Sequence, residues 1–130
     1  MSIFGRMLKN IMSPSRSSAL IPPEVPAQLR ELLRDYPAYV ESLQTVLNEF
    51  AEPTPRVQPL DEAIWALQNR LDRFLQEAVR QLEVARVDGN LLLIDEASRA
   101  RSTMGRALLS FDSDPDGLGR YFKLHKKAFE

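Results

Sequence analysis

Apolar residues recur along this chain at steps of four and three. Val25, Leu29, Leu32, Tyr36, Tyr39, Leu43, Val46 and Phe50 make a first run. Leu60, Ile64, Leu67, Leu71, Phe74 and Ala78 make a second, and Leu93, Ala97, Ala100, Met104, Ala107 and Phe111 a third. The steps average about 3.5 residues, the period of a helical stripe that packs on another helix. The pattern predicts an all-α protein, an antiparallel bundle of three to four helices. The three stripes differ in bulk. The first is aromatic, the second is large around Trp65, Phe74 and Leu75, and the third is small and alanine-rich. Trp65, Phe74 and Leu75 are therefore the expected bulky partners of the third helix.

Breakers between the stripes predict the ends of the helices. The first helix begins near Pro26, because proline is tolerated in a first turn. Pro37 then removes a hydrogen bond from the helix interior. The stripe holds its phase on both sides, so a kinked helix and two short helices both fit. The break is favoured, with Asp35 as cap and Pro37 in the next first turn. Pro53, Pro55 and Pro59 enforce a loop. The second long helix starts near Pro59, with Asp61 and Glu62 at its positive end. It runs for about 29 residues, or about 43 Å. Asp88-Gly89-Asn90 ends it, glycine supplying a left-handed stop and asparagine capping the next helix. A hairpin is expected here rather than one continuous rod. The third helix covers roughly residues 91–110. A fourth follows Asp114-Pro115 toward the C-terminus, with Leu118, Tyr121, Phe122, His125 and Phe129 on one side.

Composition narrows the chemistry. At 130 residues the chain is one domain with tails, divided as residues 1–24, a mobile basic arm with a Ser/Pro linker, and residues 25–130, the helical bundle. The apolar share of 44% supports a hydrophobic core. No cysteine is present, which excludes disulfides, thiolate metal sites and cysteine nucleophiles. No apolar stretch reaches the length of a membrane-spanning helix. The net charge of −1 offers no global attraction to nucleic acid.

Charge is unevenly distributed. No acid precedes Glu24, whereas Arg6, Lys9 and Arg16 are basic. Ile3, Phe4, Met7, Leu8 and Ile11 recur at helical spacing among these cations. The expected contacts of this flexible amphipathic arm with a partner or membrane are Ile3, Phe4, Arg6, Met7, Leu8, Lys9 and Ile11. Being serine-rich, acid-free at the start and aliphatic at Ile3, the tail resembles bacterial type III secretion signals. It also resembles a mitochondrial presequence, and it lacks the continuous apolar core of a secretory signal peptide. The C-terminal stretch is basic again through Arg120, Lys123, Lys126 and Lys127, interleaved with aromatic residues.

Site chemistry is sparse. Asp112-Ser113-Asp114-Pro115-Asp116-Gly117 matches the first half of a helix–loop–helix calcium loop, whose alternate carboxylates gather oxygens around a hard cation. Asp112, Asp114 and Asp116 are thus weak calcium candidates. Lys123 occupies the position where the loop needs its bidentate carboxylate, which favours an ordinary acidic turn. His125 is the lone histidine, so neither a three-ligand zinc site nor a Glu-x-x-His di-iron site can form. No nucleophile elbow or phosphate loop is present.

These observations predict a non-enzymatic protein that needs no cofactor: a small bacterial adaptor or regulator acting through helix–helix contacts in the cytoplasm. The excess of arginine over lysine is of the kind that codon bias in a GC-rich genome produces. A homodimer is expected from the unequal helix lengths and long apolar stripes, since a two-helix hairpin alone cannot cover both faces. The alternative is a secreted, type III-like effector or a peripheral membrane factor, addressed by the N-terminal arm.

Overall fold

The computed structural model describes residues 19–110 and 117–130, and every element among them is helical. Helix α1 spans Ala27–Leu32 and α2 spans Pro37–Asn48, the latter ending in a 3₁₀ turn at Glu49–Ala51. Helix α3 is Pro59–Asp88, α4 is Leu91–Leu109 and α5 is Leu118–Leu124, followed by a 3₁₀ turn at Lys126–Phe129. The all-α class follows. The N-terminal arm of residues 1–18, together with Phe111 and the acidic turn, lies outside the described residues.

Local chemistry accounts for the boundaries. The break at Pro37 is real, but Asp35 does not cap α2. Tyr36 occupies the N-cap with φ −130° and ψ 64°, and no side chain closes the cap. Proline at the first helical position leaves one fewer N–H to satisfy and presets the helical φ. Helix α3 begins at Pro59 with Asp61 and Glu62 in its first turn, and Glu62 Oε2 accepts the Gln58 N–H at 3.3 Å. The helix stops at Gly89, whose φ of 69° is left-handed. Asn90 then caps α4, its Oδ1 accepting the Leu93 N–H at 3.1 Å. The long helices therefore form a hairpin with a single glycine between their last turn and the next cap.

Helix α3 is the spine. By rise alone it is about 45 Å long, while α4 is about 28 Å. Helix α4 can therefore flank only the later part of α3. The first part packs against α2 and α5, while α1 touches α4. The main core joins Leu29 and Leu33, Leu43, Leu47 and Phe50 from the N-terminal half to Ile64, Leu67 and Leu71 of α3. Met104 and Ala107 of α4 and Leu118, Phe122 and Phe129 of the C-terminal segment complete it. Each fully buried leucine contributes roughly 1.5–3 kcal/mol by leaving water. Leu33 and Leu47 stand outside the predicted stripe, yet both are completely buried. Inward positions on a globular helix fall at i, i+3, i+4 and i+7, a face wider than a strict coiled-coil seam.

Trp65 corrects a sequence expectation. It is 55% exposed, so it is not the buried bulky residue that its size suggests. Ile64 takes the inward position, and one further residue rotates the side chain by about 100° away from it.

The extended segment before α1 is bonded to the helices. Leu20 N–H donates to the Ala51 carbonyl at 2.8 Å. The Gln44 amide donates to the Pro23 carbonyl at 2.8 Å and accepts the Val25 N–H at 3.1 Å. Such partners are required where a proline-rich strand of backbone has no ladder of its own. At the same end, Arg56 N–H donates to the Phe129 carbonyl at 2.8 Å. The Arg56 guanidinium lies 4.3 Å from the Phe50 ring centre and pairs with Glu62 at 2.9 Å.

Candidate contact surface

The outer half of the α3–α4 hairpin is built from small residues. Ala78, Leu82 and Ala85 of α3 and Ala97 of α4 are buried, but none of them belongs to the main core. Alanine at these positions lets the two helices approach closely. It also leaves little apolar bulk for a third helix to cover.

A groove of about 1160 Å³ opens along this half. One wall is the corner between α1 and α2, with Leu32, Asp35, Tyr36 and Tyr39. The floor and far wall come from Gln81, Val84 and Ala85 of α3 and from Leu93, Ala97, Ala100 and Thr103 of α4. The corner is stiff. Tyr36 stacks on Tyr39 with ring centres 5.5 Å apart, and Tyr39 stacks on Phe74 at 4.2 Å. Pro37 sets this geometry, turning the chain while keeping both tyrosines on the α3 side.

The rim is charged on both sides. Arg34 pairs with Glu31 at 2.6 Å, Arg99 pairs with Asp95 at 2.8 Å, and Arg80 pairs with Glu77. These pairs are exposed and each contributes well under about 1 kcal/mol. Asp35, Glu96 and Arg106 also line the groove and have no ion-pair partner among the described residues.

Around the end of the hairpin, aliphatic side chains face water. Val84 is 56% exposed, Val87 86%, Leu91 79%, Leu92 66% and Leu93 45%. Five such exposed residues fall within ten positions around the turn, and apolar surface concentrated in this way is a candidate for contact. Sequence periodicity placed only Leu93 on a stripe and missed the rest. A signal was present: three consecutive leucines turn through about 200° of helix, so one face cannot hold them all.

The residues singled out from sequence are dispersed. Arg120, Lys123, Lys126 and Lys127 are all exposed on the C-terminal segment, remote in sequence from the groove. His125 is half-buried, its Nδ1 3.0 Å from the Tyr121 carbonyl and its ring 4.5 Å from that of Tyr121. It is a packing residue. The Tyr121 hydroxyl donates to the Ile21 carbonyl at 2.7 Å, and burial pushes its pKa up. Asp112, Asp114 and Asp116 lie outside the described residues, as do Ile3, Phe4, Arg6, Met7, Leu8, Lys9 and Ile11. Among the described residues there is no cluster of three metal-ligating side chains, and no helix is long and apolar enough to cross a membrane.

No family model, no curated protein and no solved structure matches the chain.

Proposed function

We propose that this chain is a small non-enzymatic adaptor or regulatory protein of bacterial origin, folded as an antiparallel helical bundle and acting through helix–helix contacts. The observation that carries the reading is the groove over the outer hairpin. It has a rigid aromatic wall, a floor of small residues and exposed aliphatic residues at its open end. A helix lying in such a groove would meet apolar atoms beneath it and charged residues at both rims, as in helix-in-groove recognition. The described residues offer no comparable gathering of nucleophiles, acids or metal ligands.

A pull-down from native cells tests this, comparing the wild type with Val84→Asp. Val84 is exposed on the groove wall, so the variant keeps its core and places a carboxylate where a partner's apolar face would sit. The expected result is a partner recovered by the wild type and lost from the variant. Equal recovery by both chains would sink the reading.

A second reading rests on the N-terminal pattern. Residues 2–18 are basic, acid-free and amphipathic in sequence, and they would address the protein to an anionic membrane or to a type III-like export route. Deleting residues 2–18 and measuring sedimentation with anionic vesicles separates this from the adaptor reading. Unchanged binding rules out the membrane address.

A further inference from the structure

The C-terminal segment gathers exposed aliphatic side chains from distant parts of the chain. The Tyr121 hydroxyl holds the Ile21 carbonyl at 2.7 Å, and the Phe129 carbonyl accepts the Arg56 N–H at 2.8 Å. These bonds seat Ile21 and Val57 along α5 and the 3₁₀ turn after it. With Leu124 of α5 itself they make three aliphatic residues, each at least 78% exposed. None of the three belongs to the core or lines the groove.

Cations stand among them. At about 100° per residue, Arg120, Lys123 and Leu124 share one arc of α5, opposite the arc of Leu118 and Phe122 that enters the core. Lys126 and Lys127 are exposed on the turn that follows. Residues 117–130 thus carry four cations against the single carboxylate of Glu130. None of the four cations has an ion-pair partner among the described residues. Of the acids on neighbouring elements, Glu62 is engaged by Arg56 at 2.9 Å, while Glu49 and Glu52 are exposed at the end of α2. Asp112, Asp114 and Asp116 precede Gly117. Lys123 lies about 9 Å of helix beyond that glycine, past the screening length of about 8 Å at physiological salt.

This combination discriminates between anionic partners. Single-stranded nucleic acid is gripped by aromatic rings that stack on its bases between the cations. Here Phe122 and Phe129 are buried and Tyr121 is turned to Ile21, so the cationic face offers no free ring. Its exposed isoleucine, valine and leucine have no use on a phosphate backbone. An anionic bilayer uses both kinds of side chain, cations at the headgroups and aliphatic groups at the acyl boundary beneath.

We propose that this end of the bundle docks on an anionic lipid bilayer, with Lys123, Lys126 and Lys127 on the headgroups and Ile21, Val57 and Leu124 at the acyl boundary. The proposal does not rest on residues 2–18. The groove lies along the other half of α3, so a bundle docked by this end keeps the groove open to a protein partner.

Sedimentation of the full chain with phosphatidylcholine vesicles, with and without phosphatidylserine, provides the test. Binding is expected only with the anionic lipid, and it should fall as salt is raised. Lys123→Glu with Lys127→Glu should weaken it by about tenfold or more, and Lys123→Arg with Lys127→Arg should retain it. Leu124→Ser, at an exposed position, should keep the helical circular dichroism and weaken binding by about threefold or more. Both losses should persist in a chain lacking residues 2–18. Val84→Asp should bind vesicles as the wild type does, so the groove and this surface are read separately. Because the chain has no cysteine, a polarity-sensitive dye can be attached at Leu124→Cys or at Val87→Cys. On anionic vesicles the dye at position 124 should shift to the blue, and the dye at position 87, at the far end of α3, should not. Equal binding to neutral vesicles, or no binding by a helical chain, overturns the proposal. So does a response from position 87 alone. Loss of all binding on deleting residues 2–18 assigns the lipid contact to the arm and overturns this surface. A folded chain that ignores vesicles yet binds nucleic acid or an acidic protein through the same lysines overturns it as well.

Discussion

In the first half of α3, Leu67 and Leu71 are completely buried and belong to a core to which every other helical segment contributes. At the far end of the same helix, Val84 and Val87 are exposed, although α4 runs alongside. The two ends share one helix with one unbroken period. What differs is the company. At the base, the other elements supply leucines, aromatic rings and Met104, and stability comes from burying them together. At the tip, two helices meet through alanines and leave their remaining faces unmatched. A continuous helix can thus serve as core at one end and as contact surface at the other.

The sharpest way to break this comparison is to remove matched apolar groups at its two ends. Leu71→Ala should cost about 3 kcal/mol, since the residue is completely buried and its loss leaves a cavity. Val87→Ala should fall within about 0.5 kcal/mol of the wild type. Urea unfolding of both variants measures the difference, and equal losses would abolish the distinction between base and tip. A smaller effect is expected at the turn that joins the helices. Gly89→Ala places a Cβ at φ 69°, where open space surrounds it and only the backbone is strained. The loss should be about 1 kcal/mol, and a similar loss should follow Asn90→Ala, which removes the cap on α4. Hydrogen exchange should show the added opening confined to the hairpin end. Spread to Leu67 and Leu71 would mean that tip and base unfold as one unit.

An effect of similar size belongs to the base. Tyr121→Phe removes the bond to the Ile21 carbonyl and should cost about 1 kcal/mol. The wild type should also respond to alkali. Because the folded-state pKa of Tyr121 is raised, the folded chain holds this proton more tightly than the unfolded chain does. The contribution is complete below the ordinary value of 10.0 and is lost as pH rises through the folded-state value. Thermal melts at neutral and alkaline pH, compared between wild type and Tyr121→Phe, read it out. An identical alkaline decline in both would assign the decline to other groups.

Much of the fold was legible in the sequence, and the reason is local. Gly89, Asn90, Pro37 and Pro59 act within a few residues of themselves, so their spacing predicts where helices stop and start. The inward residues of α3 from Ile64 to Ala78 follow from the period alone. Leu33 and Leu47 did not, because a coiled-coil seam is narrower than the face a helix buries when several elements gather around it. Trp65 misled differently, bulk being mistaken for inwardness. The groove was legible only in part. Tyr36 and Tyr39 could be suspected of forming a receiving surface, but the exposure of Val84, Val87 and Leu92 depends on which elements reach the outer hairpin, and none of the described residues covers them. That is a fact of relative lengths in space.

The bonds at the base join distant parts of the chain. The Tyr121 hydroxyl reaches back 100 residues to Ile21, and Arg56 meets the Phe129 carbonyl. The hairpin, in contrast, closes over a single glycine, so nearly all its contacts begin between near neighbours. Loop-closure entropy then orders the events of folding, with near contacts forming early and distant ones late. The projecting arm should assemble first and the leucine core that anchors it last. Each newly folding chain would thus display its recognition end before its own foundation is complete, so concentration during refolding should govern how often copies meet prematurely.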